Sequence, residues 1–96
     1  MNVYTDNLTS LGNRPAFIRT LDERFARTST APICLLLVDI DNFKRINDSL
    51  GHQTGDKLLI SLARRLRNTL SPADILARFA SNEFAILLDD TAVEAG

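Results

Sequence analysis

Two carboxylates, Asp39 and Asp41, flank a single residue at the end of the apolar run ICLLLVD. Paired acids at a strand end suit a hard divalent cation such as Mg2+, which takes oxygen ligands and shares them with phosphate groups. The same two residues would also serve to cap the following helix and turn. Lys44 could neutralise a phosphate or stand as an ordinary solvated lysine. Asn47 and Asp56 combine an amide, which donates and accepts, with a carboxylate that accepts twice. A guanine edge presents adjacent N–H donors and a carbonyl acceptor, so this pair could read it. As purely structural residues they would be a helix-end asparagine and a first-turn acid favoured by the helix dipole. His52, the single histidine, sits between Gly51 and Gln53. No second histidine or cysteine stands near it to complete a zinc site, so it reads as a turn or packing residue.

The elements that must position these groups follow from periodicity. TDNLTSLGNRP is turn-rich; Asn13 can cap a helix and Pro15 suits its first turn. Phe17, Leu21 and Phe25 then recur every fourth residue, giving one apolar helical face, with Glu23 and Arg27 spaced for an i,i+4 pair. TSTAP breaks that helix. Ile33 to Asp39 is continuously apolar and reads as a strand buried on both faces, with Asp39 at its carboxyl end. NFKRINDSLG is a short helix stopped by Gly51. TGDKLLISLARRLRNTL is a longer one, with Leu58, Leu59, Leu62, Ala63, Leu66 and Leu70 as its core stripe and Arg64, Arg65 and Arg67 off it. Pro72 helps to end it. DILARFA and EFAILLD are two strands joined by a turn, a hairpin, and DTAVEAG looks like the start of a further helix. The simplest architecture for this order is α+β, with helices packed on one side of a mainly antiparallel sheet.

Composition sets the outer limits. The 96 residues, 45% of them apolar, make up about one small domain. A formal net charge of −1 gives no reason to expect nonspecific nucleic-acid binding. Cys34 is the only cysteine. It has no partner for an internal disulfide, and a buried structural thiol in a reducing cytoplasm fits it. No apolar run approaches the roughly 18–20 residues that span a bilayer, and no signal peptide is visible, so no membrane contact by this segment is expected. A membrane anchor elsewhere in a longer protein stays open.

Three stretches together, DNLTSLGNRPAF, DIDNFKRINDSLGHQTGDKLL and RFASNEFAILL, resemble successive signatures of the GGDEF domain, the diguanylate cyclase family. The middle stretch, FKxIND followed by GHxxGD, is the most specific. The resemblance runs from Asp6 to Leu88. It implies a nucleotide-cyclase, ferredoxin-like fold and a chemistry that joins two GTP molecules into cyclic di-GMP with divalent ions across facing domains. By position it makes Asp39 a Mg2+ ligand together with the Ile40 carbonyl, and places Lys44 near the phosphates. It makes Asn47 and Asp56 the readers of guanine, and matches Glu83 to the acidic fourth residue of the signature turn.

The departures from the family are as informative. The family turn Gly-Gly-Asp/Glu-Glu-Phe is here Ala80-Ser81-Asn82-Glu83-Phe84. Side chains stand where glycines let the backbone approach the nucleotide. The acid that ligates metal and helps activate the attacking hydroxyl is replaced by the neutral Asn82, which should severely weaken phosphoryl transfer. The Arg-x-x-Asp inhibitory motif aligns with SPAD: Asp74 remains and Ser71 replaces arginine, so no competent product-inhibition site is expected. The family domain continues beyond the hairpin, so residues 1–96 read as its N-terminal portion, with 1–5 as a linker. The resemblance therefore implies a degenerate GGDEF domain in a cyclic di-GMP signalling protein, a regulatory, GTP-binding or dimerisation module that could stand beside a phosphodiesterase domain in a longer protein. The competing reading is a weakly active cyclase. An ICLLLVD strand left with an open edge implies homodimers or larger oligomers.

Overall fold

The computed structural model describes residues 3–26 and 34–88. The elements run α1 (Arg14–Ala26), β1 (Cys34–Asp39), α2 (Phe43–Leu50), α3 (His52–Thr69), β2 (Ile75–Ala80) and β3 (Glu83–Leu88). The strands form one antiparallel sheet in the order β1-β3-β2, so the fold is α+β with an antiparallel sheet, as the sequence implies.

Strand alternation sends successive side chains to opposite faces, and the two faces have separate cores. On one, Phe17 and Leu21 of α1 pack against Ala77, Ala85 and Leu87. On the other, Phe43 of α2 and Leu59 and Ala63 of α3 pack against Leu76, Phe84 and Ile86. Helices thus cover both faces of the sheet, where the simplest reading of the sequence had them on one. Phe84, Leu59 and Leu87 are the largest fully buried side chains, each contributing about 1.5–3 kcal/mol by leaving water.

Local signals act largely as expected. Asn13 caps α1: its Oδ1 accepts from the Ala16 amide at 3.1 Å and its carbonyl from the Phe17 amide at 3.0 Å. Gly51, with φ 91°, makes the corner between α2 and α3, a torsion that side chains with a Cβ resist. Phe25, the third member of the α1 stripe, is exposed. Each i+4 step turns about 40° around a helix, so by Phe25 the stripe has rotated off the sheet. Phe79 supplies the missing aromatic contact, meeting Phe17 edge-on at 6.0 Å beneath the Arg14 guanidinium. Leu58 also lies at the exposed margin of its stripe. Glu23 pairs with Arg19 at 3.4 Å on the surface, while Arg27, TSTAP and DTAVEAG lie outside the described residues.

The ICLLLVD strand departs most from expectation. Leu35, Leu36 and Leu37 are 47%, 44% and 59% exposed. A strand is buried on both faces only when neighbours and covering helices flank it, and among the described residues β1 pairs with β3 alone. The buried centre is β3. At the other side of the sheet, the N-terminal turn docks on β2. Gly12 bridges Thr5 and Ala77, and its carbonyl accepts the Arg78 amide at 2.8 Å. Tyr4 is tied into the same turn by the Asn13 amide.

Candidate functional site

The signature turn is built without left-handed torsions. Neither Ser81 nor Asn82 has positive φ, whereas the two-residue turns that best match strand twist need it. The pairing slips instead, with a register shift between Arg78 and Ala80. Such a bulge bends the strand locally. The turn is held to the end of β1, where the Ile40 amide donates to the Asn82 carbonyl at 3.0 Å. Asp39 faces Glu83 directly across the ladder. The Asn82 side chain then reaches over: its Nδ2 donates to Asp39 Oδ1 at 2.8 Å and, at the long limit, to the Ile40 carbonyl at 3.4 Å.

Beside this turn lies a cleft of about 550 Å³ between α2, α3 and the hairpin. Lys44, Asn47 and Asp56 all line it, together with His52, Arg78 and Asn82. Asn82 is therefore the joint between two groups: the cleft on one side and Asp39, Ile40 and Glu83 at the strand ends on the other. Asp41 is exposed and does not line the cleft.

The first-turn role does not apply to Asp56, whereas Asn47 does take part in the end of its helix, its carbonyl accepting the Gly51 amide at 2.9 Å. Asn47 is the fifth of the eight residues of α2, and α3 begins at His52, which places Asp56 beyond its first turn. Asn47 Oδ1 is buried and accepts no hydrogen bond, a state that costs about 1–3 kcal/mol. Gly55 allows it to sit there: a Cβ on Gly55 would overlap Asn47 Oδ1 and lie 2.9 Å from its Cγ. His52, set aside as a turn residue, contributes to the wall.

Sequence reasoning passed over Arg78. Its Nη1 donates to both Asp6 oxygens, at 3.2 and 3.3 Å, and its Nη2 to the Ser81 carbonyl at 2.9 Å. It ties the N-terminal turn to the signature turn. Asp6 also accepts from the Thr9 amide at 2.9 Å and hydroxyl at 2.7 Å. Burial pushes the Asp6 carboxyl up, but the Thr9 hydrogen bonds and the Arg78 charge outweigh it and hold it below its ordinary value near 3.8. The two partners stand 72 residues apart, so no local pattern announces them.

In the SPAD stretch, which the resemblance aligns with an inhibitory motif, Asp74 is buried. Its Oδ2 accepts the Ser71 amide at 2.9 Å, and its own amide donates to the Ser71 carbonyl at 3.0 Å. Arg67 Nη2 donates to both carbonyls of this turn, at 2.7 Å from Ser71 and 3.2 Å from Asp74. The acid closes its own turn. Cys34 is a free, half-buried thiol. Among the described residues no helix is long and apolar enough to cross a membrane.

Comparison with known proteins gives a consistent result. Residues 3–96 match the family described as diguanylate cyclase, GGDEF domain. The chain is 47% identical over 94 residues to the diguanylate cyclase DgcP of Pseudomonas aeruginosa, covering 96% of this chain and 14% of that protein. It is 43% identical over 88 residues to the cyclic di-GMP phosphodiesterase NbdA of the same species, covering 90% of this chain and 11% of that protein. It superposes with a TM-score of 0.86 and 37% identity on the GGDEF domain of DgcB from Caulobacter crescentus, solved in complex with c-di-GMP. That match covers 99% of this chain and 58% of the other. With the match extending over all but the first two residues, and two of the three signature stretches lining one cleft, the chain belongs to the GGDEF domain family.

Proposed function

We propose that this chain is part of a degenerate GGDEF domain that binds GTP without converting it to cyclic di-GMP, and that it serves a signalling protein as a regulatory module. The observation that carries this is the contrast within one cleft. Asn47 lines it, and its Oδ1 is a buried acceptor without a partner beside Gly55, an unmet acceptor that a guanine N–H would satisfy once the amide turns toward the cleft. The turn residue beside it is Asn82, an amide already hydrogen-bonded to Asp39. Asn47 and Asp56 would read the base and Lys44 would lie toward the phosphates. Asn82 has no carboxylate with which to help deprotonate the attacking hydroxyl.

The resemblance also implies Mg2+ at Asp39 and the Ile40 carbonyl, and the donors do not fit it. The Asn82 NH2 points at both oxygens, and among the described residues no three acidic, histidine or cysteine side chains are grouped to hold a metal. Retention of GTP therefore rests on the base-reading end of the cleft.

One observation favours the weakly active cyclase: Glu83 still stands opposite Asp39. Incubation with GTP and Mg2+ or Mn2+, followed by chromatography, separates the readings. We expect no cyclic di-GMP, and product abolished by Asp39→Ala would establish the cyclase instead. In calorimetry, Asn47→Ala should weaken GTP binding by roughly 10-fold or more. Equal affinity of the two proteins would remove the guanine role.

The similarity to both a cyclase and a phosphodiesterase supports a place beside other signalling domains, including a phosphodiesterase domain. The exposed leucines of β1 support association with a second copy.

A further inference from the structure

We infer that the Asn82 amide acts as a built-in substitute for a cation, tying the end of β1 to the signature turn so that this corner of the domain closes without metal. The inference deepens the reading above only at Asn82; it does not depend on GTP binding.

The geometry points to it in three ways. First, a primary amide nitrogen carries two hydrogens, and here that nitrogen lies 2.8 Å from Asp39 Oδ1 and 3.4 Å from the Ile40 carbonyl. These are a carboxylate and a carbonyl oxygen, the pair that a hard cation would otherwise draw together. The one nitrogen bridges them, and its bond to the Asp39 side chain is short, at 2.8 Å. Second, the backbone repeats the tie in the opposite direction, from the Ile40 amide to the Asn82 carbonyl. Side chain and main chain thus form a closed clasp between residues 39–40 and residue 82. Third, the local charge suits an amide. Asp39 already faces Glu83 across the ladder. A third carboxylate at position 82 would add like-charge repulsion, and only a cation would relieve it.

For a metal to enter the wild-type corner, the amide would have to rotate and offer Oδ1. That movement gives up both side-chain hydrogen bonds and supplies only a neutral ligand. Asn82 is therefore a positioning residue, holding the turn that borders the cleft.

The test compares the 96-residue chain with Asn82→Asp and Asn82→Ala, all without nucleotide. Thermal melting is followed with and without Mn2+, and binding is followed by the paramagnetic resonance signal of free Mn2+. We expect wild type to melt at the same temperature with and without Mn2+ and to leave the free signal intact. Asn82→Ala should melt lower, by roughly 4 °C, mainly for the lost bond to Asp39, the contact to Ile40 being long, and stay insensitive to the ion. Asn82→Asp should melt lower without Mn2+, recover by roughly 4–8 °C with it, and deplete the free signal. Adding Asp39→Ala to that variant should abolish the depletion. Wild type binding Mn2+ as well as Asn82→Asp, or Asn82→Ala melting like wild type, would overturn the inference. If a variant does not melt cooperatively, the resonance signal decides alone. The pattern can hold in a chain that binds no GTP, in which case the clasp stands and the nucleotide reading falls.

Discussion

The two edges of the sheet are finished differently. At the β2 edge the N-terminal turn covers the strand: Gly12 bridges Ala77 and accepts the Arg78 amide, and Asp6 holds the Arg78 side chain. At the β1 edge no strand is paired among the described residues, and three consecutive leucines are exposed. Between them β3 is buried along most of its length. All three strands are apolar six-residue segments. What separates them is place in the sheet, not composition. An unpaired apolar edge is a template for another chain, whereas a covered one is not.

The sharpest way to break this contrast is truncation at the centre and at the open edge. Phe84→Ala should lower unfolding free energy by about 3–5 kcal/mol, whereas Leu37→Ala, on an exposed surface, should change it by less than about 0.5 kcal/mol. Denaturant titration of both variants, at a concentration low enough for monomer, measures it, and equal losses would mean that β1 is buried within the monomer.

Self-association is the next largest effect. Light scattering should give a mass that rises with concentration, and Leu37→Lys should shift it toward monomer, because an edge lysine discourages strand pairing. A concentration-independent wild-type monomer with a cooperative melt would show that the β1 edge is closed by the chain itself.

The smallest effect lies at the covered edge and depends on pH. The Asp6 carboxyl titrates below its unfolded value near 3.8. Its contribution is therefore fully present above that value and is lost as pH falls through the lower folded value. Exchange of the Arg78 amide, which is bonded to Gly12, should speed up in that acidic range, and Asp6→Asn should remove the pH dependence. Amide exchange in the variant that still follows pH as wild type does would assign the effect to another group.

Much of this was legible in the sequence because it is local. The Asn13 cap, the Gly51 corner and the hairpin each depend on residues a few positions apart. Lys44, Asn47 and Asp56 were grouped by the family resemblance alone, each having an ordinary structural reading of its own, and the α2–Gly51–α3 corner brings them to one cleft. The edge position of β1 was not, because an apolar run reads the same whether or not neighbours flank it. Arg78 was hidden for the opposite reason: its partner comes from the other end of the chain. The sequence revealed the loss of charge at Asn82. It did not reveal that the amide would turn toward Asp39 and the Ile40 carbonyl, which depends on how the hairpin lies against the end of β1.

Gly55 gives the cleft an unusual vulnerability. It sits on α3, while the acceptor it accommodates, Asn47, belongs to α2. One added methyl group at position 55 would evict the Asn47 amide from its place while leaving every polar residue of the cleft in the chain. A lineage could thus lose the proposed base recognition through a change that an inventory of residues 44, 47 and 56 would not register. Intact lettering at 44, 47 and 56 testifies to a working pocket only when read together with what stands at 55.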